Sequence, residues 1–434
     1  MSEVIWLASD VYIEARRRIR WCFDTFATVC VAFSGGKDSG VVLNLALDVA
    51  REIGQLSRLS VYHMDYEAQY EATTEHVERV MLGLPEEVRA YWLCLPVVTP
   101  CATSMFQSYW RPWEANKRHL WVRQMPAHPT VINETNVEFD YTGTDYDTQD
   151  AFADWLAATT GTTVGMLVGI RADESLNRRA AITSANRTTH HPQARWTARK
   201  SEDVTSCYPI YDWSVEDVWT AHAREEWPYN RLYDLFHLAG IPPHAMRVAS
   251  PFIDCGQESL KLYRVIEPAT WGRLVSRVNG VNFTGIYGGT TAMGWRTITK
   301  PDHFTWEQYA RFLLATLPDE TRARHEAKLA KSIEVWRTQG CARPPELIAE
   351  MEAQGAAICR TGRLSNYTAT PTEVVQVEYM DDFDGADFKD VPSWKRVCVC
   401  ILKNDVTWKY AGFARTKAEQ QRRKEAINRW STVL

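Results

Sequence analysis

Six consecutive residues, Ser34-Gly35-Gly36-Lys37-Asp38-Ser39, combine the groups that a polyphosphate site needs. A glycine pair lets backbone N–H groups turn toward a ligand, at the positive end of a following helix. Ser34 and Ser39 add hydroxyl donors, and Lys37 adds a point charge suited to phosphate. Asp38 repels phosphate directly, so its natural partner is a bridging Mg²⁺ ion. The loop is not of Walker A type. The earlier glycine at the required spacing is missing, and Asp38 stands where Ser or Thr would follow the lysine. A second charged group follows at 169–179, GIRADESLNRR, with Arg171, Glu174 and Arg178.

The elements around these residues predict how they are positioned. Residues 28–33 are β-rich, SGGKDS follows, and 40–52 are rich in Val, Leu and Ala: strand, glycine turn, helix. Residues 10–27 have helical periodicity. A second strand at 59–64 leads to Asp65 and a helical stretch ending near 82, and 90–98 is a third strand. The apolar run 163–170 reads as a buried strand that empties into Arg171. Strands alternating with helices predict an α/β fold with a parallel, doubly wound sheet. Arg171 and Glu174 then share the sheet edge that carries the loop.

The rest of the chain is less regular. Residues 100–150, with Trp110, Trp113 and Trp121, read as an aromatic insertion, either a satellite core or a pocket lining. The polar stretch 183–205 reads as a mobile loop with solvated His190 and His191. Ser214 and Asp217 form a capping box, and Asp212 either caps that helix or serves the site. Thr305 with Gln308, and Gly340, give start and stop signals in a mainly helical C-terminal region. The expected domains are 1–250, nucleotide-binding; 251–360, helical; and 361–434, an acidic linker and a basic helical segment. Residues 373–390 hold seven acids and one lysine, and 393–434 hold ten Lys/Arg against three acids. Thr416 and Glu419 read as the cap of a last helix.

Bulk properties narrow the function. The 434 residues suit two or three domains, and 45% hydrophobic with 24% charged residues gives an ordinary core. A net charge of −5 argues against a protein that coats nucleic acid over its whole surface, and leaves room for a local basic patch. No apolar run approaches the ~18–20 residues of a membrane span, and residues 1–20 lack a signal-peptide apolar stretch. A cytoplasmic protein without membrane contact is expected. Ten cysteines with no C-x-x-C make no disulfide framework, and Cys398 and Cys400 read as buried free thiols. An iron–sulfur site would have to gather distant ligands such as Cys255, Cys341 and Cys359.

SGGKDS resembles the PP-loop of N-type ATP pyrophosphatases, specifically the phosphoadenosine-phosphosulfate (PAPS) reductase group and its adenylyl-transferring relatives. HMDYEAQYEAT at 63–73, GIRADESLNRR at 169–179 and YPIYDWSVEDVW at 208–219 with PYNRLYDLFHLAGIP are similar to further family segments in order. The resemblance spans about 10–250. It implies an adenine nucleotide alpha hydrolase-like fold that binds ATP or PAPS with Mg²⁺. On that resemblance Ser34, Gly35, Gly36, Lys37, Asp38 and Ser39 hold phosphates, with Asp38 on the metal. Asp65 meets ribose or metal, and Arg171, Glu174 and Arg178 close the far end. Sulfonucleotide reductases use a thiolate from a Glu-Cys-Gly-x-His type segment near the C-terminus. Here Asp254-Cys255-Gly256-Gln257 is the nearest approach, without the histidine. Cleavage of ATP for adenylyl transfer is therefore the leading expectation, with PAPS reduction as the alternative. A third reading is a non-catalytic nucleotide sensor. The chain also resembles a subgroup with an added C-terminal region, some of whose members are linked with ParB-like partners. That implies such a partner here, or nucleic acid bound through 393–434.

Overall fold

The computed structural model describes residues 9–408 except 104–106, 175–177, 180–181, 183–187, 254–255, 257–259, 288–297, 299, 366–371, 386–389, 403–404 and 406–407. In strand β1 (Thr28–Ala32) successive side chains alternate between two covered faces. Val29 and Val31 pack with Ile19, Phe23, Val41 and Leu45 of helices α1 (Val11–Thr25) and α2 (Lys37–Glu52). Cys30 faces the other way, into a cluster with Phe152 and Leu156 of α4 (Asp145–Thr160). Burial on both faces explains why these strands read as continuous apolar runs.

Strands β2 (Leu59–Met64), β3 (Arg89–Leu93), β4 (Val131–Ile132), β5 (Val164–Val168), β6 (Thr197–Arg199) and β7 (Val204–Cys207) complete a seven-stranded sheet of order β4-β3-β2-β1-β5-β7-β6. All neighbours are parallel except β6 and β7. Strand order runs outward from β1 in both directions, so β1 and β5 flank the topological switch point. Ligand crevices form at strand carboxyl ends there. Helix α3 (Glu71–Leu82) follows β2, while α5 (Val215–Arg224) and α6 (Leu232–Leu238) follow β7. The fold is α/β, a mostly parallel doubly wound sheet, as the alternation predicts. The capping boxes Ser214–Asp217 and Thr305–Gln308 both form.

Two stretches of this first unit differ from the sequence reading. Residues 197–205, expected within a mobile loop, belong to the antiparallel pair β6–β7, in which Thr197, Ala198, Val204 and Thr205 are buried. The unit holding the sheet, Ser2–Thr103 with Tyr109–Gly285, also runs past the expected boundary at 250. Helix α7 (Pro268–Arg277) and the residues before it explain why. The Glu267 carboxylate accepts the Glu71 and Ala72 N–H groups at the start of α3, at 2.9 and 3.4 Å. Tyr263 stacks on Tyr70 with ring centroids 3.6 Å apart. Arg277 donates to Glu67 through Nε at 2.8 Å and Nη2 at 3.1 Å, both side chains fully buried. The insertion joins the same network: Trp113 and Val122 donate backbone N–H groups to Glu67. Trp113 and Trp110 are core side chains rather than pocket lining.

The second unit comprises Ser104–Ser108 and Ile286–Leu434. Helices α8 (Trp306–Thr316), α9 (Asp319–Glu334) and α11 (Trp394–Leu402) share one apolar cluster. A second cluster joins α10 (Pro345–Ala353) to an antiparallel sheet of β8 (Cys341–Arg343), β9 (Ile358–Ser365) and β10 (Thr372–Val377), in the order β8-β10-β9. The acidic run 373–390 therefore starts inside a strand. Val375, Val377 and Phe383 are buried between its acids, which corrects the linker reading. Likewise Trp394, Val397, Cys398, Cys400 and Ile401 are core residues, so the basic segment begins in the packed unit. Cys398 and Cys400 are buried and in no disulfide. Cys341 and Cys359 sit on β8 and β9 with β10 between them, and Cys255 lies outside the described residues. So do Thr416, Glu419 and the rest of the tail. Among the described residues no helix is long and apolar enough to cross a membrane.

Candidate functional site

The loop from β1 to α2 is held from behind through its carbonyls. His63 Nδ1 lies 2.8 Å from the Phe33 oxygen. Asn230 Nδ2 donates to the Gly35 oxygen at 3.1 Å and to Thr73 Oγ1 at 2.9 Å. Ser39 Oγ donates to the Gly36 oxygen at 3.0 Å, and His222 Nε2 lies 3.0 Å from the Lys37 oxygen. Burial lowers the His222 pKa, so the ring is neutral and its Nε2–H is the donor. The Tyr233 hydroxyl accepts the Lys37 N–H at 3.0 Å. Gly36, at the N-cap of α2, offers no capping side chain, so beyond the Lys37 N–H taken by Tyr233 the Asp38 and Ser39 N–H groups are left for a ligand. Gly35 sits at φ 77°, where a side chain is strained, and its Cβ would lie 2.8 Å from Val77. Gly169, ending β5, lets that strand approach the first turn of α2: a Cβ there would lie 3.0 Å from the Asp38 and Ser39 backbones.

Charge converges at this point. Lys37 Nζ lies 2.8 Å from Asp38 Oδ2, and Arg171 Nε pairs with Asp38 Oδ1. Lys37 is 6% exposed and Arg171 3%. Burial alone would raise the Asp38 pKa. The Lys37 and Arg171 charges outweigh it, and the carboxyl stays below its ordinary value, ionised at neutral pH. Arg171 Nη1 also donates to the Trp213 oxygen at 3.4 Å. Beyond Arg171, Glu174 Oε2 lies 2.6 Å from Arg178 Nη1, and Glu174 Oε1 lies 3.8 Å from Arg247 Nη1. The structure thus brings together Ser34, Gly35, Gly36, Lys37, Asp38, Ser39, Arg171, Glu174 and Arg178.

Asp65 does not join them as expected. It is 0% exposed, and its carboxylate accepts from Trp92 Nε1 at 2.7 Å, from the Glu67 N–H at 2.9 Å and from Arg123. Its partners are structural rather than ribose or metal. Asp212 neither caps α5 nor enters the site. It takes a two-pronged contact from Arg18 of α1, at 2.7 and 2.6 Å. Sequence reasoning missed four residues: Asn230, Tyr233, His222 and Arg247. Asn230 and Tyr233 lie in the quoted segment PYNRLYDLFHLAGIP, whose polar residues within an apolar pattern were the available signal. His222 and Arg247 carried none. A cleft between α1 and β6, lined by Arg17, Trp21, His190 and Trp196, lies apart, and its lining has no carboxylate or lysine.

With that geometry in place, comparison with known proteins assigns a class. The model of the phosphoadenosine phosphosulfate reductase domain matches residues 28–237, and that of a domain of unknown function (DUF3440) matches 240–422. The chain thus carries a domain similar to the phosphoadenosine phosphosulfate reductase domain, followed by an added C-terminal domain. It belongs to the same family as the Escherichia coli (strain K12) protein described as "Uncharacterized protein YbdN". The two are 34% identical over 422 residues, covering 96% of this chain and 94% of that one. Among solved structures it is similar to PAPS reductase from Candida auris in a phosphate complex, at 15% identity, 54% and 94% coverage and a TM-score of 0.29. It is also similar to the U34-tRNA thiolase NcsA from Methanococcus maripaludis, at 10% identity, 68% and 91% coverage and a TM-score of 0.30.

Proposed function

We propose that the loop Ser34–Ser39 is a PP-loop that binds ATP and cleaves it between the α- and β-phosphates, transferring the adenylyl group to an acceptor. The observation that carries this is Asp38 held between Lys37 and Arg171 at the switch point of the sheet. An acceptor oxygen attacks the α-phosphorus. The bond from that phosphorus to the bridging oxygen breaks, and its electron pair leaves on pyrophosphate. Lys37, the Asp38 and Ser39 N–H groups of α2 and the Ser34 hydroxyl hold the departing phosphates. Arg171 neutralises charge that grows as the bond breaks. Asp38 suits a divalent ion delivered on the nucleotide, since each carboxylate oxygen keeps a lone pair beyond its cation contact. When bound, Mg²⁺ would supply charge neutralisation of the phosphates. Release of pyrophosphate from ATP in the presence of a substrate extract, lost in Lys37→Ala, tests the proposal. A wild-type protein that binds no adenine nucleotide overturns it.

PAPS reduction is the second reading, favoured by the match to the reductase domain. It needs a thiolate to take the sulfo group, and Cys255 is the candidate nearest in sequence to that role. A Cys255→Ser protein is expected to keep the nucleotide-dependent activity of the wild type. Sulfite release from PAPS with thioredoxin by the wild type, absent in Cys255→Ser, would instead establish the reductase.

A further inference from the structure

We infer that Arg247 is a specificity-determining residue of the nucleotide site, binding a tetrahedral oxyanion (phosphate or sulfate) beyond the 5′-phosphates. The inference rests on the nucleotide reading above. Arg247 lies outside the stretch 28–237 that matches the reductase domain, yet within the same compact unit as the loop. Its neighbours are anchored on both sides. Met246 is buried in the cluster that contains Tyr233 and Phe236. The Val248 side chain lies 3.9 Å from the place a Cβ would take on Gly36, which sets this segment over the glycine turn. Between these anchors the Arg247 side chain is 37% exposed, open enough to meet a ligand.

Arg247 Nη2 donates to the Glu174 carbonyl at 3.4 Å, and Nη1 lies 3.8 Å from Glu174 Oε1, while Arg178 meets the other carboxylate oxygen. Glu174 is therefore bracketed by two guanidinium groups, much as Asp38 is bracketed by Lys37 and Arg171. Four cations, Lys37, Arg171, Arg178 and Arg247, face the carboxylates of Asp38 and Glu174, with the exposed Asp173 3.9 Å from Arg171. The inner cations suit the 5′-phosphates. The outer pair offers planar forks that match an oxyanion two bonds at a time, with Glu174 orienting both until the anion takes its place. That anion comes either from a 3′-phosphate on the nucleotide itself or from a second substrate.

Titration calorimetry with adenosine 3′,5′-bisphosphate, AMP and inorganic sulfate separates the sources. If the anion is a 3′-phosphate, the wild type prefers the bisphosphate to AMP by about tenfold or more. Arg247→Ala erases that preference and leaves AMP affinity within about twofold. If it belongs to a second substrate, bisphosphate and AMP bind alike, but sulfate binds the AMP-saturated wild type and not Arg247→Ala. Arg247→Lys, which keeps the charge without the fork, falls between, and a melting curve for each variant confirms folding. Unchanged bisphosphate and sulfate binding in both Arg247 variants overturns the inference. If Lys37→Ala still weakens AMP in that case, the nucleotide reading stands. If Lys37→Ala binds AMP as the wild type does, that reading falls too.

Discussion

On the proposed nucleotide reading, Asp38 answers to two opposite demands: it repels a bare polyphosphate and accepts one that carries a divalent ion. Its two cation contacts make the balance measurable. In chelator, Asp38→Asn should bind ATP more tightly than the wild type, because a negative charge is gone and Lys37 and Arg171 are released. With Mg²⁺ present the order should reverse, and Asp38→Asn should bind about tenfold more weakly, ~1.4 kcal/mol. Lys37→Ala should be weaker under both conditions. Calorimetry with and without Mg²⁺ decides, and a variant that shows no reversal removes the metal from Asp38. At this scale the sequence was informative where the candidate site sits on consecutive residues. SGGKDS and the Arg171–Glu174–Arg178 spacing were legible because a loop and a strand end put chain neighbours side by side. Asp65 misled, since a carboxylate after a strand looks the same whether it meets ligand or Arg123. His222 was hidden because its partner, the Lys37 carbonyl, is a backbone atom 185 positions away.

Helix α3 shows how elements outside the motif hold the site. Its first N–H groups are capped by Glu267, and Glu67 just before it is neutralised by Arg277. Replacing Arg277 by Ala leaves a fully buried carboxylate without its counter-ion, a loss of about 3–5 kcal/mol. Urea unfolding should register it, and a change under ~1 kcal/mol would mean that Glu67 finds other compensation. The same helix carries His76, whose pKa burial lowers to about 4. The unfolded chain takes up that proton near pH 6.5, so folding releases it between those values. Stability present above pH 6.5 is then lost as pH falls toward 4, by roughly 3 kcal/mol at most. A His76→Phe protein should show a flatter dependence of urea midpoint on pH, and parallel curves would dismiss this histidine as the cause. None of these connections was readable beforehand. Helix periodicity reports a buried face, while partners such as Glu267 arrive from some 200 residues later.

For the whole molecule, the division of the chain is the feature that composition located least well. The expected break at 250 would cut α7 from the core it staples, whereas the compact unit ends at Gly285. A chain ended after 285 should therefore fold and bind nucleotide, and one ended after 250 should not. Circular dichroism and nucleotide titration of the two would show it, and equal behaviour would make α7 dispensable. A ParB-like or nucleic-acid partner, if docked by the basic tail, should be lost on removing 409–434 without disturbing α11. Binding by the full chain should fall steeply with salt. The sheet has one further consequence. Its end strands are only two and three residues long, β4 and β6, and β6 runs against its neighbour. An incoming strand would find few ladder bonds at either side, so growth of the sheet from one molecule into the next is blocked at both ends. When two copies meet at an end of this sheet, the contact is left to side chains rather than to shared strands.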